Sequence, residues 1–362
     1  MQPILIAASL LALAAAASAQ TTWLVGPNGI PDLQNAIDGA AAGDELVLEP
    51  GTYPPFNLDK ALTMRAETNG TVQITSGGFV LPLATNTSGR TQFVGLDFQE
   101  LNCFGGDFSI IDCTFAWTGS VLSLANGTAH VERTTVLGLP SLLGNVGPLF
   151  LSGAYVTMVD CEVEGSAPSP FGVNGPAVDQ QANSTLVASG CTFRAGTGPV
   201  LQPTIVSQSN TVVRISDSTF AHDASVCTVT GPADVVLSRC VVPSSCPNQV
   251  VAPLLGIGAN GAITRGQVWS ATFRGEPNEP LLVFGSDDLD GGPAIELDGP
   301  FLLAAAGCFP AAAILLDGNG DAQLDVPIPG VAIPVGLAVF VQGVSGSSFP
   351  LRTSPVVGGL VR

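Results

Sequence analysis

One short phrase returns along the middle of this chain and dictates what it can become. It reads Phe93-Val94-Gly95-Leu96-Asp97-Phe98, then Ile110-Ile111-Asp112-Cys113-Thr114-Phe115, Val131-Glu132-Arg133-Thr134-Thr135-Val136 and Met158-Val159-Asp160-Cys161-Glu162-Val163. It continues as Ala188-Ser189-Gly190-Cys191-Thr192-Phe193, Ile215-Ser216-Asp217-Ser218-Thr219-Phe220 and Leu237-Ser238-Arg239-Cys240-Val241-Val242. Aligned on the central small residue, the copies are 17, 21, 27, 30, 27 and 22 residues apart, a spacing of the solenoid kind. The spacing varies while the phrase does not, as in a coil whose strands stack while its outer turns grow or shrink. Within each copy apolar side chains alternate, as in Ile111, Cys113 and Phe115, which puts one set inside and the polar set outside. The residue before the small one is usually polar or Gly, as a bend between two short strands requires.

Composition agrees with many short strands and turns: 46% of the 362 residues are hydrophobic, 11% are charged, and there are 43 Gly and 28 Pro. The net charge of −18 repels phosphate backbones and anionic membrane surfaces, so no nucleic-acid partner is expected. Residues 1–19 read as a secretory signal, with an apolar run from Ile4 to Ala17 and a small-x-small end at Ala17-Ser18-Ala19. No later stretch is apolar for long enough to span a bilayer, so the mature chain is expected to be exported and without a transmembrane segment. Cys113, Cys161, Cys191 and Cys240 share one repeat position and are expected to face the interior as small hydrophobes. Cys240 with Cys246 is a local pair open to oxidation, though spacing does not fix connectivity. Zinc is not expected, since no Cys-x-x-Cys occurs and His130 and His222 are the two histidines.

Before the repeats, Leu33, Ala36, Ile37, Ala40 and Ala41 recur at helical spacing between Pro31 and Gly43, which predicts an amphipathic helix laid over the first coil as a cap. A turn at Gly43-Asp44, a strand at Leu46-Val47-Leu48, then Pro50-Gly51-Thr52-Tyr53 and a strand at Leu62-Thr63-Met64 follow. Helix, Gly-Asp, strand, Pro-Gly-Thr-Tyr and strand together resemble the opening of right-handed parallel β-helix proteins of the pectin-lyase-like superfamily, many of them secreted by bacteria. The resemblance covers roughly residues 22–250 and implies an all-β fold, a right-handed parallel β-helix with an N-terminal helical cap. It does not choose an activity, because that fold hosts several chemistries as well as non-enzymes. Beyond residue 260 the repeat is lost. Short strands at Gln267–Phe273, Pro280–Phe284, Ala294–Leu297, Ala313–Leu316, Gln323–Val326 and Leu337–Gln342 lie between turn clusters, which predicts a small antiparallel β-sandwich. The expected organisation is therefore signal 1–19, β-helix 20–260 and C-terminal sandwich 261–362. That tail resembles a C-terminal β domain of exported bacterial proteins, which implies attachment or sorting.

The catalytic patterns of the carbohydrate-active β-helices are not found in the repeats: there is no Asp-Asp pair, and neither His lies in Gly-His-Gly. Glycosidic cleavage needs paired carboxylates or a cation-assisted base, so the leading expectation is a secreted non-catalytic scaffold for glycan or protein contact at the envelope or surface. The alternative is a divergent polysaccharide lyase or glycoside hydrolase whose groups converge from separate coils, with Asp179, Arg194, Asp217, His222 and Asp223 as candidates. His130 is expected at a strand start, partly buried. No cofactor is expected beyond calcium, for which the oxygen-rich candidates are Asp287, Asp288 and Asp290, and Asp317, Asn319 and Asp321. The second group also reads as a hairpin turn. Asn69, Asn86, Asn126 and Asn183 begin glycosylation sequons. The longest loops, Gly138–Ser152 and Gly165–Thr185, and the strand face beside them are where functional groups are expected.

Overall fold

The computed structural model describes residues 20–76, 83–85, 89–118, 120–140, 147–166, 174–198, 202–221, 228–231, 233–243, 249–251, 254–287, 297–298, 303, 308–330, 337–347 and 351–361. The expected signal therefore lies outside the described residues, as do His222, Asp223, Asp288, Asp290, Cys227 and Cys246. Two compact units are formed, a coil made chiefly of Gln20–Val187 and Cys191–Val251, and a C-terminal unit from Ala252 onward.

The first unit is a right-handed parallel β-helix of three sheets, with eleven, eight and eight strands. Each strand pairs in parallel with its counterpart one coil away: Asp107–Ile111 of the first sheet lies between Arg90–Val94 and Thr128–Glu132. One coil runs from the third sheet (Leu101–Phe104) through the first (Asp107–Ile111) to the second (Thr114–Thr118). The inward row of the second sheet is Tyr53, Ile74, Phe98, Phe115, Val136, Val163, Phe193 and Phe220, all buried. Phe98 stacks on Phe115 at 5.1 Å and Phe193 on Phe220 at 5.5 Å, so rings from successive coils form a continuous core.

The repeated phrase is the corner between the first and second sheets. Its polar residue takes the left-handed conformation, with φ of 53° at Asp112, 45° at Arg133, 52° at Asp160, 50° at Asp217 and 50° at Arg239. The small residue that follows is buried and its hydroxyl or thiol donates to the carbonyl two residues back. The distances are 3.3 Å for Cys113 to Ile111, 2.9 Å for Thr134 to Glu132, 3.2 Å for Cys161 to Val159 and 2.7 Å for Ser218 to Ser216. This explains why Cys, Ser and Thr interchange here: the site needs a small donor, which goes beyond the expected small hydrophobe. Burial pushes the Cys113 thiol up to about 12. A second left-handed ladder turns the third sheet into the first, at Asn126, Asn183 and Asn210 with φ of 55°, 61° and 59°. Two of the sequon asparagines are thus corner residues, and Asn suits a corner because it tolerates this conformation.

The third corner, from the second sheet to the third, absorbs the variation in repeat length. It is short at residues 99–100 and long at residues 165–177 and 195–204. The expected loop Gly165–Thr185 therefore contains a strand of the third sheet, Val178–Gln180.

The helix is shorter than expected, Leu33–Gly39, and is started by Asp32, whose side chain accepts from the backbone N–H of Asn35 at 2.8 Å. Leu33, Ala36, Ile37 and Ala40 are buried, while Ala41 is exposed beyond its end. Among the described residues no helix is long and apolar enough to cross a membrane.

The C-terminal unit has a three-stranded sheet (Gly256–Ala259, Val268–Arg274, Asp321–Pro327) and a five-stranded one (Leu297–Asp298, Leu351–Leu360, Ala338–Ser345, Pro280–Ser286, Phe309–Leu315). Pairing is antiparallel except between Leu297–Asp298 and Leu351–Arg352. Phe273 of one sheet lies against Gly343 of the other, where a Cβ would come within 2.8 Å of its ring, so the glycine lets the sheets close. The long final strand was not expected. The turn at Asp317–Asp321 is tight, but it is not a hairpin. Its flanking strands pair with different partners, Phe309–Leu315 with Pro280–Ser286 and Asp321–Pro327 with Val268–Arg274, so it carries the chain between sheets.

Candidate functional site

The outward row of the second sheet runs in strict register through Thr52, Gln73, Asp97, Thr114, Thr135, Glu162, Thr192 and Thr219. Each is at least partly exposed. Alternation places them opposite the buried row of Tyr53, Phe98 and Phe115, so the same repeat that builds the core also builds this line. Strand spacing sets the step at roughly 4.8 Å, and every position offers a hydroxyl, amide or carboxylate. No Lys, Arg or large apolar residue interrupts it.

Beside this row, where the third corner is longest, lies a groove of about 570 Å³ lined by Glu162, Glu164, Asn174, Arg194, Gln202 and neighbouring residues of 195–198. Glu162 and Glu164 project from one strand, and Arg194 comes from the next coil, in register with Glu164. Its Nε lies 3.3 Å from Glu162 Oε1 in a half-exposed pair. The base is a close approach of backbones: a Cβ on Gly165 would fall 2.3 Å from the carbonyl oxygen of Gly175, and one on Gly196 would fall 1.9 Å from that of Ser166. Gly196 N–H donates to the Gly175 carbonyl at 3.0 Å and Gly175 N–H to that of Ser166 at 3.3 Å, so the two long corners are laced together. Asn174, only 1% exposed, donates its amide to the Gly196 carbonyl, while its Oδ1 has no partner among the described residues.

Of the residues singled out in the sequence, Arg194 belongs to this groove. Asp217 is elsewhere, at the first left-handed corner, where both its oxygens accept from Arg239 at 2.8 Å. Asp112 and Arg133 repeat that pairing four coils earlier, at 2.7 Å. Asp179 stands on the third sheet between Phe150 and Val206 in register, accepting from Gln181 Nε2 at 2.6 Å. Burial raises its pKa. Glu162, Glu164, Asn174 and Gln202 were not singled out. The two glutamates were readable, because stacking the phrases aligns Glu164 with Arg194 and Ala221. Asn174 lies in a corner with no repeat to locate it.

His130 is not at a strand start but in the middle of Thr128–Glu132, and it is fully buried. Thr157, His130 and Glu132 form a chain: Nδ1 is 3.1 Å from Thr157 Oγ1 and Nε2 is 3.1 Å from Glu132 Oε2. Arg133 continues it from Glu132 to Asp112. Desolvation, with Arg90 and Arg133 nearby, holds the imidazole neutral, its pKa brought down to about 3. A hydroxyl, imidazole and carboxylate in line resemble catalytic machinery, but none of the three lines the groove, and their hydrogen bonds are made to one another inside the coil.

Of the calcium candidates, the group Asp317, Asn319 and Asp321 is engaged in turn formation. Asp317 Oδ1 accepts from the N–H groups of Asn319 and Asp321 at 2.7 and 2.9 Å, which lowers its pKa, and Asp321 pairs with Arg274 at 3.2 Å. Asp287 is half-buried. Among the described residues no group of three or more His, Cys, Asp or Glu is placed to hold a metal.

No protein-family model and no curated protein matches this chain. Among solved structures it is similar to the A-module of the Azotobacter vinelandii mannuronan C-5 epimerase AlgE4, at 11% identity over 61% of this chain and 94% of that one, with a TM-score of 0.27. It is also similar to the enzymatically active domain of the bacteriophage CBA120 tailspike protein 2, at 9% identity over 95% of this chain and 71% of that one, with a TM-score of 0.28. At that level of likeness the description of the fold rests on the sheet topology of the chain itself.

Proposed function

We propose that this is an exported, non-catalytic β-helix scaffold whose second sheet lies against a glycan. The observation that carries the reading is the outward row from Thr52 to Thr219. Evenly stepped hydroxyls, amides and carboxylates on a rigid sheet match a ligand that is itself a regular line of hydroxyls, and each contact adds a modest increment along a preformed surface. A protein partner of ordinary kind calls for buried aromatic or Arg anchors, which this row does not offer.

The second reading is a glycoside hydrolase centred on the groove. Glu162 and Glu164, two residues apart on one strand, share a face and offer the groove the pair of carboxylates that a glycoside hydrolase needs. Against it, Glu162 is already paired with Arg194.

Retention of the mature chain on insoluble glycans, scored together with release of new reducing ends, tests both readings. Retention without cleavage that falls about tenfold (1.4 kcal/mol) in a Thr135→Lys, Thr192→Lys double variant is the expected result. Retention unchanged by that variant overturns the scaffold reading, and cleavage abolished by Glu164→Gln replaces it with the hydrolase.

A further inference from the structure

We infer that the groove beside Glu164 selects the sugar: it takes a unit presenting hydroxyl or amine donors and rejects one carrying a carboxylate. This rests on the glycan reading above and adds the chemical class of the ligand.

Three observations converge. Asn174 is buried and its orientation is fixed, because its NH₂ donates to the Gly196 carbonyl, so the atom left without a partner is an acceptor, Oδ1. A buried acceptor with no donor is costly to leave unfilled, and a ligand hydroxyl or ammonium that fills it recovers that cost. Glu164, exposed on the wall, is a second acceptor and has no counter-ion among the described residues. Among the described residues Arg194 is the one cation of the lining, and its Nε is shared with Glu162. The lining therefore carries two carboxylates against one guanidinium, a net negative charge, and the adjoining row adds Asp97 with no base. A uronate placed here meets that net like charge and must compete with Glu162 for Arg194. A neutral hexose or a free amino sugar meets acceptors that need its hydrogens.

The test uses isothermal titration of the mature full-length chain with three hexasaccharides of matched length: a neutral β-glucan, a fully deacetylated chitosan and an oligouronate. The expected result is that the neutral or the amino oligomer binds at least about tenfold more tightly than the uronate, a difference of about 1.4 kcal/mol. In Glu164→Gln, an exposed and isosteric change, that preference shrinks about threefold or more as like-charge repulsion is removed. Uronate binding equal to or tighter than the others, or a preference unmoved by Glu164→Gln, overturns the inference and leaves the scaffold reading intact. Binding of none of the three, together with no retention on insoluble glycan, overturns the scaffold reading itself.

Discussion

A strand in the coil finds its partners one repeat before and one repeat after it: Asp107–Ile111 pairs with Arg90–Val94 and Thr128–Glu132. Strands in the C-terminal unit reach much further along the chain, Val268–Arg274 to Asp321–Pro327 and Pro280–Ser286 to Ala338–Ser345. Stability in the first unit is a sum of neighbour terms, whereas the second closes only when distant segments meet. A defect in the coil should therefore stay local, and one in the C-terminal unit should spread.

Matched core truncations put this to the sharpest test. Phe115→Ala removes a fully buried ring stacked on Phe98, and Phe273→Ala one packed on Gly343; each should cost about 3–5 kcal/mol. Hydrogen exchange should rise in Phe115→Ala only around Asp97–Phe98, Thr114–Thr118 and Thr135–Leu139, and in Phe273→Ala across the whole C-terminal unit. Uniform loss of protection in both would erase the contrast.

Acid should weaken the coil next. Burial depresses the folded pKa of His130 from its ordinary 6.5 to about 3, so below pH 6.5 the unfolded chain binds a proton that the folded chain refuses. Stability is full above that pH and falls as pH drops toward 3, by about 1.4 kcal/mol per unit in steepest descent. Denaturant midpoints measured across this window should flatten in His130→Asn relative to the parent, after allowance for its lower plateau.

The corners come next in size. Asn210→Ala forces an alanine into φ of 59° and should cost about 1 kcal/mol, while Asn210→Gly should be neutral or slightly stabilising, as read by melting temperature. Smallest is Asp217→Asn, which breaks a partly exposed pair with Arg239 and should cost under about 1 kcal/mol, less still in high salt. A larger loss would mean that the corner pairs carry the coil.

The sequence shows the first and second sheets because their corner is chemically demanding: a left-handed residue, then a small donor, then an inward aromatic or β-branched side chain. The third sheet is nearly silent. Its strands are short, and two of them turn polar groups inward: Gln180 is buried, donating to the carbonyls of Ser184 and Val212 and accepting from Ser207. A buried amide whose partners are two backbone carbonyls and the Ser207 hydroxyl breaks the apolar alternation that a reader follows. Leu351–Leu360 was hidden for another reason, since Pro355 and Gly358-Gly359 ordinarily argue against a strand. Half the groove was equally opaque. Glu162, Glu164 and Arg194 follow from stacking the phrases, whereas Asn174 gains its meaning only when Gly175 is laced to Ser166 and Gly196.

Most growth in repeat length leaves the coil at one edge, between the second and third sheets, while the corner between the first and second keeps its left-handed residue from Gly95 to Arg239. An insertion or deletion at that edge need shift no register and open no core. Lengthening residues 195–204 would thus reshape the groove without asking the scaffold to refold around the change. The same edge is the natural place to graft a foreign loop, with a row of hydroxyls already running beside it.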